Sequence, residues 1–141
     1  MIDGLYNTDI LNLAAAIQHV GSLDAPGGST RKVSKLCGSW VEVDITTKDE
    51  KVSDFAIRLQ ACALGQASSS ILSEVIIGAS LEDLIAARNA LETMLKRGGQ
   101  PPEGRFAKLA LLADVANYPA RHTSTLLAFD AAVEAMAAAL V

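Results

Sequence analysis

The chain has 141 residues, of which 50% are hydrophobic and 20% are charged, a balance typical of a folded domain with its own core rather than a disordered segment. The net charge of −4 and the low aromatic content exclude the basic face and the base-stacking platforms of nucleic-acid-binding proteins. No apolar stretch approaches the roughly 20 residues of a membrane-spanning helix, and no signal peptide is visible. We therefore expect a single domain over residues 1–141 in a reducing cytoplasm, with no membrane partner.

The first half of the chain predicts one short helix and a small sheet. Apolar residues over 5–17 are spaced as in a helix, and residues 21–31 form a loop rich in turn residues. Apolar and polar residues alternate over 41–45 and again over 54–61, which predicts an antiparallel hairpin. Residues 32–36 are a candidate for a third, shorter strand.

After the hairpin the pattern becomes helical. Gly78 ends the first predicted helix, Ser80 with Asp83 forms a capping box at the start of the second, and Gly98 with Gly99 stops the second. The four predicted helices span residues 67–77, 81–97, 105–115 and 121–141. A hairpin-based sheet followed by helices predicts an α+β fold, with the helices packed on one face of a small antiparallel three-stranded sheet.

Two cysteines are the candidate functional residues. Cys37 precedes the first hairpin strand, and Cys62 follows the second strand at the start of a helix, where the helix N-terminus favours a nucleophilic or metal-ligating thiolate. We expect both thiols to meet at one end of the sheet. Their spacing matches no short metal-binding motif, so a pair of small buried hydrophobic residues remains the alternative.

Several segments of the chain follow one another in an order that resembles a known family. These segments are Leu5-Tyr6, Val20-Gly21-Ser22-Leu23, Cys37-Gly38, Cys62 with Ala67-Ser68-Ser69-Ser70, and Pro119-Ala120-Arg121. The chain resembles the U-type iron–sulfur cluster assembly scaffolds, which include IscU, SufU and the N-terminal domain of NifU. The resemblance extends over nearly all of the chain. It implies one domain with the SufE/NifU-like α+β fold.

The resemblance also implies a metal site, from which this chain departs at two positions. The family places three cysteines and an aspartate around one exposed site, and Cys37 and Cys62 match the first two cysteines. Ser39 stands where the family has the aspartate, and Ser124 stands where it has the third cysteine. Ser124 itself is a candidate ligand, and His122, two residues away, is either a candidate substitute ligand or a structural histidine near a helix start.

The function implied by the resemblance is a scaffold or carrier that binds iron or a [2Fe–2S] cluster through Cys37 and Cys62. Two thiolates are half of the four ligands that such a cluster normally takes, so a homodimer bridging one cluster is a further hypothesis. A cysteine desulfurase and apoproteins that receive clusters are the implied partners. The chain shows no nucleophile–base pair, phosphate loop or dinucleotide motif, which argues against an enzyme.

Two alternatives remain open. The length of the region between Gly78 and Pro119 resembles the SufU branch, whose members resemble zinc-bound sulfur-transfer partners of a cysteine desulfurase. The chaperone-recognition sequence of the IscU branch is replaced here by residues 117–121, so we expect no dedicated Hsp70-type partner. The other alternative is a degenerate paralogue that binds no metal and acts as an interaction module.

Overall fold

The computed structural model describes residues 5–36 and 38–141, and Cys37 therefore lies outside the described residues. In chain order, the elements are α1 (Thr8–Ala14), β1 (Gly28–Val33), β2 (Trp40–Lys48), β3 (Lys51–Gln60), α2 (Ala63–Val75), α3 (Leu81–Arg97), a 3₁₀ segment (Gly104–Asn117), a 3₁₀ turn (Pro119–Arg121) and α4 (His122–Ala139). No helix in the described ranges combines the length and the apolar character needed to cross a bilayer.

The three strands form one antiparallel sheet in the order β1-β2-β3. The predicted hairpin is present, with Lys48 opposite Lys51 at its closed end. Asp49 and Glu50 between them have φ angles of 54° and 63°. Two left-handed residues form the tight turn whose twist matches that of the flanking strands.

One face of the sheet is covered by α4, which packs on both β1 and β2. Val41, Val43 and Ile45 of β2 are fully buried against this layer. At Gly28, a Cβ atom would overlap the carbonyl oxygen of Ala135, so the first residue of β1 has to be glycine for α4 to lie this close. The observed architecture confirms the predicted α+β fold.

A buried carboxylate organises the opposite face of the sheet. Asp44 accepts hydrogen bonds from the hydroxyl of Ser29 (2.6 Å), the backbone N–H of Leu23 (3.1 Å) and, through both oxygens, the guanidinium of Arg58. Arg58 also donates to the carbonyl of Gly21. The pKa of Asp44 is lowered to about 2, mainly by its hydrogen bonds with the Arg58 guanidinium. This network fastens the loop over residues 21–23 to the sheet.

The capping signals at both ends of the second predicted helix are confirmed, whereas the Gly78 cap predicted for the first is wrong. Ser80 and Asp83 form a complete capping box at the start of α3, and Gly98 ends that helix in the left-handed conformation. By contrast, α2 ends at Val75 and not at residue 77. Arg105 donates to the carbonyls of Val75 and Ile77 there, so a distant side chain caps the helix end.

Other boundaries also differ from the sequence-based expectation. Helix α1 is shorter than residues 5–17 and ends at Ala14. Strand β1 starts at Gly28, inside the predicted loop, and ends at Val33, before most of the predicted strand over 32–36. Its position is set by pairing with β2 and by packing against α4, both of which are distant in the sequence. Helix α2 starts at Ala63, four residues early. The predicted helix over 105–115 is a 3₁₀ segment that is kinked at Phe106.

Candidate functional site

Cys62 lies between β3 and α2, two residues after the strand ends. It is the N-cap residue of α2, with φ −67° and ψ 171°, and its side chain makes no capping hydrogen bond. The thiol is half-buried. It opens on a cavity of about 290 Å³ that is lined by Gly38, Ser39, Gln60, Ala61, Cys62 and Arg121. The thiol is thus placed at a helix N-terminus, is not used as a cap, and is accessible from this cavity.

Ser124, from the first turn of α4, is the polar side chain beside the Cys62 thiol. Its Oγ lies 3.7 Å from Sγ of Cys62, and only 1% of the residue is exposed. The same hydroxyl donates a hydrogen bond to the carbonyl of Arg121 at 3.2 Å. The structure therefore brings together two of the predicted site residues, which are 62 positions apart in the sequence.

The two residues that follow Cys37 in the sequence also reach this cavity. Gly38 and Ser39 both line it, and Ser39 is only 5% exposed. The loop before β2 is folded back on itself, because Ser34 N–H donates to the carbonyl of Ser39 (2.7 Å) and Gly38 N–H donates to the carbonyl of Ser34 (2.9 Å). Cys37 itself lies outside the described residues, so its meeting with Cys62 stays a prediction.

His122 is placed differently from Ser124. Its Nε2 lies 3.1 Å from the carbonyl oxygen of Val115 and 3.3 Å from that of Ala116. Both partners are acceptors, so Nε2 carries the proton, and the residue is only 8% exposed where it ties the 3₁₀ segment to α4. This geometry gives His122 a structural task. Its use as a metal ligand through Nδ1 stays a prediction.

Residues 5–36 and 38–141 contain no group of three or more His, Cys, Asp or Glu side chains that could hold a metal ion. Cys62 with Ser124 is a partial set. Two atoms bound to one tetrahedral metal, a sulfur at about 2.3 Å and an oxygen at about 2.0 Å, are about 3.5 Å apart. The observed separation of 3.7 Å between Sγ and Oγ is close to this value.

Sequence reasoning did not assign a role to Arg121 or Gln60, which both line the cavity. None of the ion pairs in the described part of the chain involves Arg121, so no salt bridge neutralises the charge that Arg121 brings to the cavity it lines with Cys62. A signal for Arg121 was present in the sequence. It stands three residues before Ser124, at a spacing that puts both residues in adjoining turns.

The fold and the site together define a class of protein. Residues 5–125 match the model of the NifU-like N-terminal domain, and the chain belongs to that family. The resemblance to the U-type scaffolds is thereby confirmed.

Particular relatives agree with this assignment. The iron–sulfur cluster assembly scaffold protein IscU of Thermotoga maritima is 30% identical over 132 residues, which cover 94% of this chain and 92% of that protein. A crystal structure of a nitrogen-fixing NifU-like protein (N-terminal) from Brucella abortus is similar at a TM-score of 0.95 and 45% identity, covering 99% of this chain and 96% of that one. The SufU structure from Fervidobacterium islandicum AW-1 has a TM-score of 0.86 at 22% identity, over 94% of this chain and 97% of that one, and supports the fold alone.

Proposed function

We propose that this chain is a non-enzymatic scaffold or carrier in iron–sulfur cluster assembly, and that it binds iron or a [2Fe–2S] cluster through the thiolates of Cys37 and Cys62. The observation that carries the proposal is the half-buried Cys62 thiol, which makes no cap and opens on a cavity lined also by the two residues that follow Cys37. Thiolates are the ligands that iron–sulfur clusters prefer. The cluster is cargo here, to be bound and passed on.

The electrostatics of the cavity support anionic cargo. The N-terminus of α2 presents backbone N–H groups and the positive end of a 13-residue helix next to Cys62. Arg121 adds a full positive charge to the same cavity. A cluster held by thiolates carries net negative charge, so both features favour its binding over that of a bare cation.

The number of ligands determines the form of the complex. One chain offers two thiolates, and a [2Fe–2S] cluster normally takes four protein ligands. We therefore propose that two copies of the domain over 1–141 share one cluster, each giving Cys37 and Cys62. In the reducing cytoplasm, a cysteine desulfurase would supply the sulfur and apoproteins would receive the cluster. Ser124 is within reach as a further ligand, whereas His122 is turned towards carbonyls.

The test is the metal content of matched variants purified without air. We expect iron with acid-labile sulfide in the parent protein and in Ser53→Ala, a control on the outside of the hairpin. Both Cys37→Ser and Cys62→Ser should lose most of the iron and sulfide while keeping the fold. Equal metal contents in all four proteins would contradict the site. Zinc without sulfide would instead favour the sulfur-transfer alternative, and a metal-free parent would favour the interaction module.

A further inference from the structure

We propose that Gln66 is a positioning residue for the Cys62 thiol, because its side-chain amide holds the peptide group that joins Ala61 to Cys62. The inference rests on the proposed function, since it concerns the same thiol. It goes further by naming the residue that keeps this thiol at the N-terminus of α2.

Gln66 restrains the backbone on both sides of Cys62. Its Nε2 donates a hydrogen bond of 3.0 Å to the carbonyl oxygen of Ala61. Its backbone N–H donates one of 2.9 Å to the carbonyl oxygen of Cys62, as the helix requires. The first carbonyl belongs to the planar peptide group before the Cα of Cys62, and the second belongs to the group after it. Because the orientations of these two groups define φ and ψ of Cys62, one residue restrains both angles.

The backbone at Cys62 depends on this restraint because it lies between two regular elements. Strand β3 ends at Gln60 and α2 begins at Ala63. Cys62 is the N-cap residue, a position where a serine or aspartate side chain normally accepts a hydrogen bond from the first turn, but its own side chain makes no such bond. The amide of Gln66 therefore stabilises a junction that the N-cap side chain leaves unsupported.

The residue before Gln66 makes room for this contact. A Cβ atom at Gly65 would lie 2.9 Å from the Cβ of Ala61 and 3.2 Å from the carbonyl oxygen of Ser124. A larger residue would therefore push Ala61 away from the first turn of α2, or push α2 away from α4. Gly65 thus lets Ala61 lie within reach of the Gln66 amide.

The restraint matters for the chemistry of the thiol. An N-cap side chain lies beside the N–H groups of the first helical turn, which stabilise negative charge. No side-chain cap occupies these groups in α2, so they can stabilise a thiolate at Cys62 or a sulfur bound to iron. Rotation of the peptide group between Ala61 and Cys62 would carry Sγ away from them. Loss of the Gln66 hydrogen bond should therefore lower the reactivity of the thiol at neutral pH.

The test uses Cys37→Ser as the background, so that Cys62 is the only thiol of the chain. The rate of alkylation by iodoacetamide is measured at pH 7 and pH 9, with and without the further change Gln66→Met. Methionine keeps the length of the side chain and the helix propensity but cannot donate a hydrogen bond. At pH 7 the rate should fall about two- to fivefold, the range expected when a helix N-terminus no longer stabilises a negative charge. At pH 9, where an ordinary thiol is mostly ionised, the fall should be smaller.

Two further variants complete the comparison. Gln100→Met makes the same substitution at an exposed position in the loop after α3 and should leave both rates unchanged. Gly65→Ala disturbs the same junction without touching the amide and should lower the rate at pH 7 as Gln66→Met does. Thermal unfolding of every variant shows that folded proteins are compared. Should Gly65→Ala fail to fold, Gln66→Met at its half-buried position carries the test alone.

The outcomes separate this inference from the proposed function. Equal rates in Gln66→Met and its background would overturn the inference. An equal fall at both pH values would also overturn it, because that result reports altered access to the thiol and not a displaced thiolate. The assay contains no metal, so a parent protein without iron would overturn the proposed function alone, while slower alkylation of Gln66→Met at pH 7 would still support the role of Gln66.

Discussion

Replacing Asp44 with asparagine should destabilise the fold more than any other single charge change on the sheet. Asp44 is 3% exposed, and its two oxygens accept from Arg58 at 2.9 and 3.0 Å. Asparagine keeps an acceptor for only one of the two donors Ser29 and Leu23, which bind different oxygens of Asp44, and it cannot neutralise Arg58. The loop over residues 21–23 should then detach from the sheet.

The magnitude follows from the lowered pKa of Asp44, which falls from 3.8 to about 2 in the folded protein. At 1.36 kcal/mol for each pKa unit, the folded structure prefers the charged carboxylate by roughly 2.4 kcal/mol. Because the folded pKa is below the unfolded one, this stabilisation is fully present above about pH 4 and is lost as the pH falls towards 2. At neutral pH the midpoint of thermal unfolding should fall by roughly 6–9 °C.

The assay is urea unfolding of the parent and Asp44→Asn at pH 7, 4 and 3. The difference in unfolding free energy should narrow as the pH falls, because the unfolded parent chain takes up a proton on Asp44 at a higher pH than the folded protein does, which favours unfolding of the parent. Glu42→Gln is the matched control, since Glu42 pairs with Arg31 and Arg58 from a part-exposed position and should contribute less than about 1 kcal/mol. Equal losses in the two variants, or a difference that does not change with pH, would refute this reasoning.

Three further predictions concern single positions. Ser80→Ala removes the N-cap of α3 and should cost about 1 kcal/mol in urea unfolding, so an unchanged midpoint would contradict the capping box. Gly28→Ala forces a Cβ against the carbonyl of Ala135 and should lower the unfolding free energy by about 3 kcal/mol in thermal unfolding. The control Gly104→Ala has open space around the added Cβ but a φ of 78°, and should cost roughly 1–2 kcal/mol. A larger loss in Gly104→Ala than in Gly28→Ala would be incompatible with the packing of α4. His122→Gln should lower stability by roughly 1–2 kcal/mol and leave the iron content unchanged, and a parallel loss of iron would make His122 a ligand.

The parts of the fold that sequence patterns predicted correctly rest on local signals. The alternation over β2 and β3 identifies a hairpin because each strand has one buried face. The capping box at Ser80 and the left-handed Gly98 depend on residues close to each other in the chain. Such features can be recognised without knowing what packs against them.

The parts that were missed depend on distant contacts. Strand β1 starts at Gly28 because β2 and α4 lie against it, and nothing in its glycine- and serine-rich sequence indicates that neighbour. Helix α2 starts at Ala63 without a side-chain cap, so no start signal precedes it. The end of α2 is capped by Arg105, which lies 30 residues beyond Val75.

The candidate site shows the same division. The placement of Cys62 at a strand–helix junction followed from the change of period along the chain. The proximity of Ser124 to Cys62 was expected only from the family resemblance, because no periodicity connects residues so far apart. The orientation of His122 towards Val115 and Ala116 depends on the 3₁₀ segment, whose geometry the sequence did not predict.

The most direct test of the central claim is native mass spectrometry of the anaerobically purified protein, alongside Cys62→Ser. Our account predicts a dimer whose added mass corresponds to one [2Fe–2S] cluster, or about half a cluster per chain, and the absence of that species in Cys62→Ser. A cluster-bearing dimer that persists in Cys62→Ser would contradict the assignment of the site. A parent protein found only as a monomer with zinc would contradict the shared-cluster scaffold itself.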